Sequence, residues 1–123
     1  LIEAAWAKGK IVAADCHGPM GLLEATVDGA PLVKGLEVTA FTNIEEDQAG
    51  ATEWVKANTV FMEDEFQKLG AVFKKGDPWT AHVCKLVTHH FSERYGYVTG
   101  HLITAQNPQS ADACAAAVIE ALA

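Results

Sequence analysis

Residues 11–25 read IVAADCHGPMGLLEA, and this stretch decides the fold. Lys10 to Asp15 is short, rich in Ile, Val and Ala, and barely alternates, which reads as a central parallel strand. Gly18-Pro19 then opens a helix, because a first turn has no use for the N–H that proline lacks. Met20, Leu22, Leu23 and Ala25 supply its apolar side. Cys16 and His17 therefore stand at the carboxyl end of a strand, where open α/β sheets gather reactive groups. A tight strand-to-helix turn projects a nucleophile outward, with the backbone N–H groups of the following helix facing it. Those donors, Gly18 among them, and the helix dipole favour a thiolate and can hold an oxyanion. The plainer alternative is a small buried cysteine beside a surface histidine.

Outward from that turn, strands and helices alternate. Residues 1–8 read as the end of a helix that Gly9 closes. Asp28-Gly29 signals a turn, and Leu36 to Phe41 alternates as a strand. Thr42-Asn43 caps a helix that opens with Glu45, Glu46 and Asp47. A second helical stretch covers residues 59–69, with Glu63 to Glu65 on its wet side, and Ala71 to Phe73 is a short strand. Residues 74–96 carry no clear pattern. Tyr97 to Ala105 reads as two strand pieces around Gly100, and Asn107-Pro108 starts the last helix with Asn as N-cap. That helix presents Ala111, Cys114, Ala115, Val118, Ile119 and Leu122 as one apolar stripe. The alternation predicts an α/β sandwich with a largely parallel sheet.

The 123 residues suit one small domain, and half of them are apolar. A net charge of −7 argues against nucleic-acid and anionic-membrane partners, both of which need a basic surface. No apolar run is long enough to span a bilayer. Three cysteines, at 16, 84 and 114, are an odd and widely spaced set, which predicts free thiols in a reducing, cytoplasmic setting. His82, Cys84, His89, His90 and His101 offer no recognised ligand spacing beyond His82-x-Cys84, so no metal is expected. Cys84 and Cys114 read as packed or idle thiols, and Trp79 as a lining of the substrate mouth, a dimer face, a core residue or a loop anchor. The first residue is not Met and the chain opens inside a helical pattern, so residues 1–123 are expected to be part of a longer chain.

Ala14-Asp15-Cys16-His17-Gly18-Pro19 resembles the nucleophile elbow of the ThiJ/PfpI superfamily. The likeness continues through Thr39-Ala40-Phe41-Thr42-Asn43 with Glu45-Glu46, then Phe61 to Phe66, and last Leu102 to Pro108 with Ser110-Ala111. It is similar to the branch of heat-shock chaperones and glutathione-independent glyoxalases (glyoxalase III). The resemblance implies a flavodoxin-like three-layer sandwich, of which this chain is the C-terminal portion. An upstream Glu facing the elbow, partners in the N-terminal portion of the same protein, and a homodimer are implied with it. Three places depart from the pattern: Asp15 before the thiol, Ala105 for a usual glycine, and a segment at residues 85–97 longer than the usual turn.

The resemblance also implies chemistry. Cys16 would add to a small reactive aldehyde such as methylglyoxal, with His17 in support, and release lactate without glutathione, metal or other cofactor. Protein deglycation would use the same attack. A Cys–His pair needs a carboxylate to orient the imidazole, and Glu46 stands where some bacterial members place theirs, with Glu45 and Asp15 as other candidates. The alternative for Glu45 to Asp47 is a solvated helix start. The alternative functions are an amidotransferase- or peptidase-like hydrolase, and a non-enzymatic stress chaperone or redox sensor.

Overall fold

The computed structural model describes residues 1–123 and has an α/β architecture. In chain order, α1 (Ile2–Ala7) leads into β1 (Ile11–Asp15), and a single 3₁₀ helix (Gly18–Leu22) follows the elbow. The pairs β2 (Thr26–Val27) and β3 (Ala30–Pro31) form a small ribbon. Then come β4 (Glu37–Val38), α2 (Asn43–Gln48), α3 (Thr52–Asn58), α4 (Met62–Lys68) and β5 (Val72–Phe73). The long strands β6 (Val83–Ser92) and β7 (Gly96–Ala105) precede a second 3₁₀ turn (Pro108–Ser110) and α5 (Ala111–Leu122).

The main sheet has the order β1-β7-β6. β1 runs parallel to β7, with Asp15 opposite Ala105, whereas β6 runs antiparallel to β7. β4 and β5 pair in parallel in a separate two-stranded sheet. β7 carries both halves of the core. Leu102 joins Trp6, Leu22, Val33, Val38, Phe41, Met62 and Phe66 on one face, while Ile103 and Ala105 pack under Cys114 and Ala117 of α5 on the other. Side chains alternate across a strand, so one β7 sequence serves two layers.

Several sequence expectations change here. Within residues 1–123, β1 pairs with β7 alone. Residues 83–105 form one antiparallel hairpin: β7 runs unbroken through Gly100, and loop 93–95 closes on Gly96 at φ 73°. The sheet is therefore mixed. Period-two alternation in Val83–Ser92 is masked because apolar Val87 and Phe91 are exposed beside Lys85 and His89, whereas polar Thr88 and His90 are on the more buried side. The expected strand 36–41 shortens to β4, because Thr39 N–H donates to Thr104 Oγ1 and Phe41 N–H to the Cys16 carbonyl instead of a ladder. The helix placed at 59–69 begins only at Met62, after the break that ends α3. α5 buries Cys114 and Ala117, with Val118 and Ala121 against the core, and leaves Ala111, Ala115, Ile119 and Leu122 of the expected stripe exposed. None of the helices is long and apolar enough to cross a membrane.

Candidate active site

Cys16 ends β1 in the left-handed region, at φ 59°. A non-glycine residue pays about 1–2 kcal/mol for that conformation, so the fold must hold it. Two backbone bonds do: Cys16 N–H donates to the Ala105 carbonyl at 2.9 Å, and the Cys16 carbonyl accepts from Phe41 N–H at 3.0 Å. The elbow is thereby stitched between the end of β7 and the segment after β4. Pro19 is buried at the start of the 3₁₀ turn, which spans only Gly18–Leu22 and has no side-chain cap.

The turn brings the adjacent side chains into contact. Cys16 Sγ lies 3.3 Å from His17 Nδ1, and His17 Nε2 lies 2.6 Å from Glu46 Oε1. An ionised carboxylate only accepts, so Nε2 carries the hydrogen and Nδ1 faces the thiol as an acceptor. The Phe41 ring packs against the imidazole at 4.6 Å between centroids, and Trp79 sets its edge on Phe41 at 5.4 Å. His17 is half exposed, whereas Glu46 is buried.

The surroundings of Cys16 run against the expected thiolate. Burial pushes the Cys16 thiol up to about 11; the His17 backbone N–H works against the rise, while Asp15, Glu45 and Glu46 reinforce it. The expectation rested on a helix dipole, and a five-residue 3₁₀ turn supplies little of one. Asp15 itself makes no side-chain hydrogen bond through Oδ1, and burial raises its carboxyl.

Glu45 and Glu46 are not a solvated helix start: both are buried. Thr42 and Glu45 form a reciprocal capping box at the start of α2. Beyond that cap, Glu45 accepts from Gln106 Nε2 at 3.1 Å, Asn107 Nδ2 at 2.8 Å and Trp79 N–H at 3.0 Å. Burial alone would raise its carboxyl, but the Trp79, Asn107 and Thr42 donors together hold it below the ordinary value. Asn107 donates Nδ2 to Glu45 and the Thr80 carbonyl, and its Oδ1, the atom a helix cap would use, accepts from the Ser110 hydroxyl instead of a backbone N–H. Glu63, expected on a wet face, is also buried: it accepts from Asn43 N–H and pairs with Lys75.

Sequence reasoning named Cys16, His17, Gly18 and Glu46, and the structure places all four around the elbow. It missed Glu45 as the anchor of the acid-bearing turn, and Phe41 as the imidazole's neighbour. The capping spacing Thr42-x-x-Glu45 was the available signal. Trp79 takes a positive φ, 60°, and its indole donates to Gln48, which makes it an anchored loop residue. No three His, Cys, Asp or Glu side chains gather as metal ligands. Cys84 and Cys114 are buried, His90 stacks on Trp6, and His89 bonds Thr99.

No family model matches the chain. It is 34% identical over 119 residues to glyoxalase 3 of Candida albicans, covering 93% of this chain and 44% of that protein. It is also 34% identical over 122 residues to the glutathione-independent glyoxalase HSP31 of Saccharomyces cerevisiae, covering 95% and 46%. Among solved structures, Candida albicans glyoxalase III superposes with a TM-score of 0.73 at 31% identity, over 98% of this chain and 46% of that one. The Francisella tularensis Rapid Encystment Protein superposes at 0.76 with 29% identity, over 99% and 48%. The chain spans slightly under half the length of the curated relatives it matches. In sequence and in fold, over the length that it spans, the chain is similar to proteins named as glutathione-independent glyoxalases.

Proposed function

We propose that Cys16, His17 and Glu46 are the catalytic centre of a glutathione-independent glyoxalase that converts methylglyoxal to lactate. The observation that carries this reading is the contact chain from Sγ through Nδ1 and Nε2 to Glu46, built on a strained strand-end turn. A nucleophile, a base and a group that orients the base are the parts a covalent mechanism needs. The thiol's value near 11 assigns His17 its role: Nδ1 takes the proton as Sγ attacks, and Glu46 stabilises the resulting imidazolium.

Attack on the aldehyde carbon forms the C–S bond, and the thiol proton passes through His17 to the carbonyl oxygen, giving a hemithioacetal. Transfer of the C1 hydrogen as a proton to C2, through an enediol, leaves a lactoyl thioester. Water then adds to the thioester carbonyl, lactate departs, and Cys16 recovers its proton. The balance is one methylglyoxal plus one water to one lactic acid. Backbone N–H groups of His17 and Gly18 at the elbow are the donors available to the developing oxyanion. Glu46 is engaged with His17, so the C1–C2 proton shift calls for a second carboxylate. The resemblance assigns that carboxylate to the relatives' remaining length, making residues 1–123 one portion of a single domain. A homodimer goes with this reading, as does a cytoplasmic setting, which the three free thiols support.

The test is lactate formation from methylglyoxal without added glutathione, in the protein and in Cys16→Ala. Lactate from the former only is the expected result. Equal lactate from both would overturn the reading.

A further inference from the structure

A cavity of about 370 Å³ opens beside the contact chain. His17 and Glu46 form its polar end, and Phe41, Trp54, Val55 and Val60 are among its apolar walls. Within residues 1–123, Trp54 is 64% exposed and Val60 39%, and both stand at its rim. Trp54 contributes nothing to either core cluster. His17 belongs to both places: Nδ1 faces the thiol, and the ring lines the cavity.

We propose that this cavity receives the non-reacting end of the substrate, and that the end is apolar and larger than methyl: an aryl or branched alkyl group on a 2-oxoaldehyde. The proposal rests on the glyoxalase reading and names the substrate class of that site. A cavity of 150 Å³ lined by apolar side chains already holds a benzene molecule, so this one has room for a phenyl ring. A methyl group leaves most of it unfilled. Each additional methylene in an apolar pocket is worth roughly 10–200-fold in discrimination. An aromatic rim beside a small polar end also matches the make-up of small-molecule sites, which are mostly apolar with a few placed polar groups. The other occupant such a surface could take is a protein segment, and the experiment separates the two.

Two measurements decide it. The first compares kcat/KM for phenylglyoxal and methylglyoxal in the protein and in Trp54→Ala. The aryl substrate is expected to lead by about tenfold or more, and the ratio to fall by about tenfold in Trp54→Ala. The second needs no turnover: calorimetric titration of acetophenone, which lacks the reactive aldehyde, into Cys16→Ala. Binding is expected, weakened at least tenfold when Trp54→Ala is added. A protein that makes lactate from methylglyoxal but has no aryl preference and binds no acetophenone overturns the inference and leaves the glyoxalase reading standing. Acetophenone binding that depends on Trp54, with no Cys16-dependent turnover of either aldehyde, overturns the reading and keeps the apolar site. A cavity reserved for a protein segment gives neither Trp54-dependent binding nor a change in the substrate ratio.

Discussion

Replacing Glu45 by Gln tests whether one buried carboxylate holds the site's three segments together. Oε1 accepts from Thr42 N–H, Thr42 Oγ1 and Gln106 Nε2; Oε2 accepts from Trp79 N–H and Asn107 Nδ2. Gln has the same shape but offers one acceptor and one donor. If its nitrogen replaces Oε2, the Trp79 and Asn107 donors face another donor. If the amide flips, Thr42 N–H and Gln106 Nε2 are stranded, even after the Thr42 hydroxyl turns to accept. Either way two buried donors lose their partner, at about 1–3 kcal/mol each, so the expected loss is about 2–6 kcal/mol. Glu45 is fully buried, which leaves little water to compensate. The assay is urea unfolding of the protein and of Glu45→Gln, followed by circular dichroism. The pH dependence has a definite sign. The folded carboxyl sits below its ordinary value of 4.5, so its contribution is complete above that value and fades as pH falls through the lower, folded one. The gap between the two proteins should therefore narrow in acid below about pH 4.5. A loss under about 2 kcal/mol at pH 7, below the cost of even two weakly stranded donors, would refute the hub argument.

Iodoacetamide alkylation reads the Cys16 thiol directly, since Cys84 and Cys114 are buried. With the thiol pushed up to about 11, the rate should climb about tenfold per pH unit from pH 7 toward that value. A plateau beginning below pH 9 would show instead a resting thiolate–imidazolium pair. Lys75→Met removes the cation from buried Glu63, which keeps only the Asn43 N–H as a partner. A loss of about 1–3 kcal/mol is expected by urea unfolding, and no change would restore the reading of Glu63 as a wet-face residue.

The elbow was legible because its determinants are local. Pro19 sets φ in the first turn, and an apolar run before Asp15 declares the strand. Glu46 could be named only through the resemblance, because 29 residues separate it from His17. The hairpin at 83–105 escaped because Val87 and Phe91 lie on the exposed face and Thr88 and His90 on the more buried one, which hides an alternation that pairing with β7 makes plain. The apolar stripe of α5 was misphased for a related reason. Helical spacing identifies candidate faces, but the side that Ile103 and Ala105 of β7 cover selects Cys114 and Ala117.

By itself the sequence determined the α/β class, the strand-end position of Cys16 and its adjacency to His17, all of which follow from short-range propensity and backbone geometry. Tertiary structure decided what those residues experience. Burial pushes the thiol up to about 11, and the packing of α2 against the elbow brings Glu46 to the imidazole. The Glu45 carboxyl falls below its ordinary value only where Trp79 and Asn107, distant in the chain, join Thr42 in donating to it. Charge states and contacts of this kind depend on desolvation and on groups far apart in sequence, and these exist only once the chain has folded.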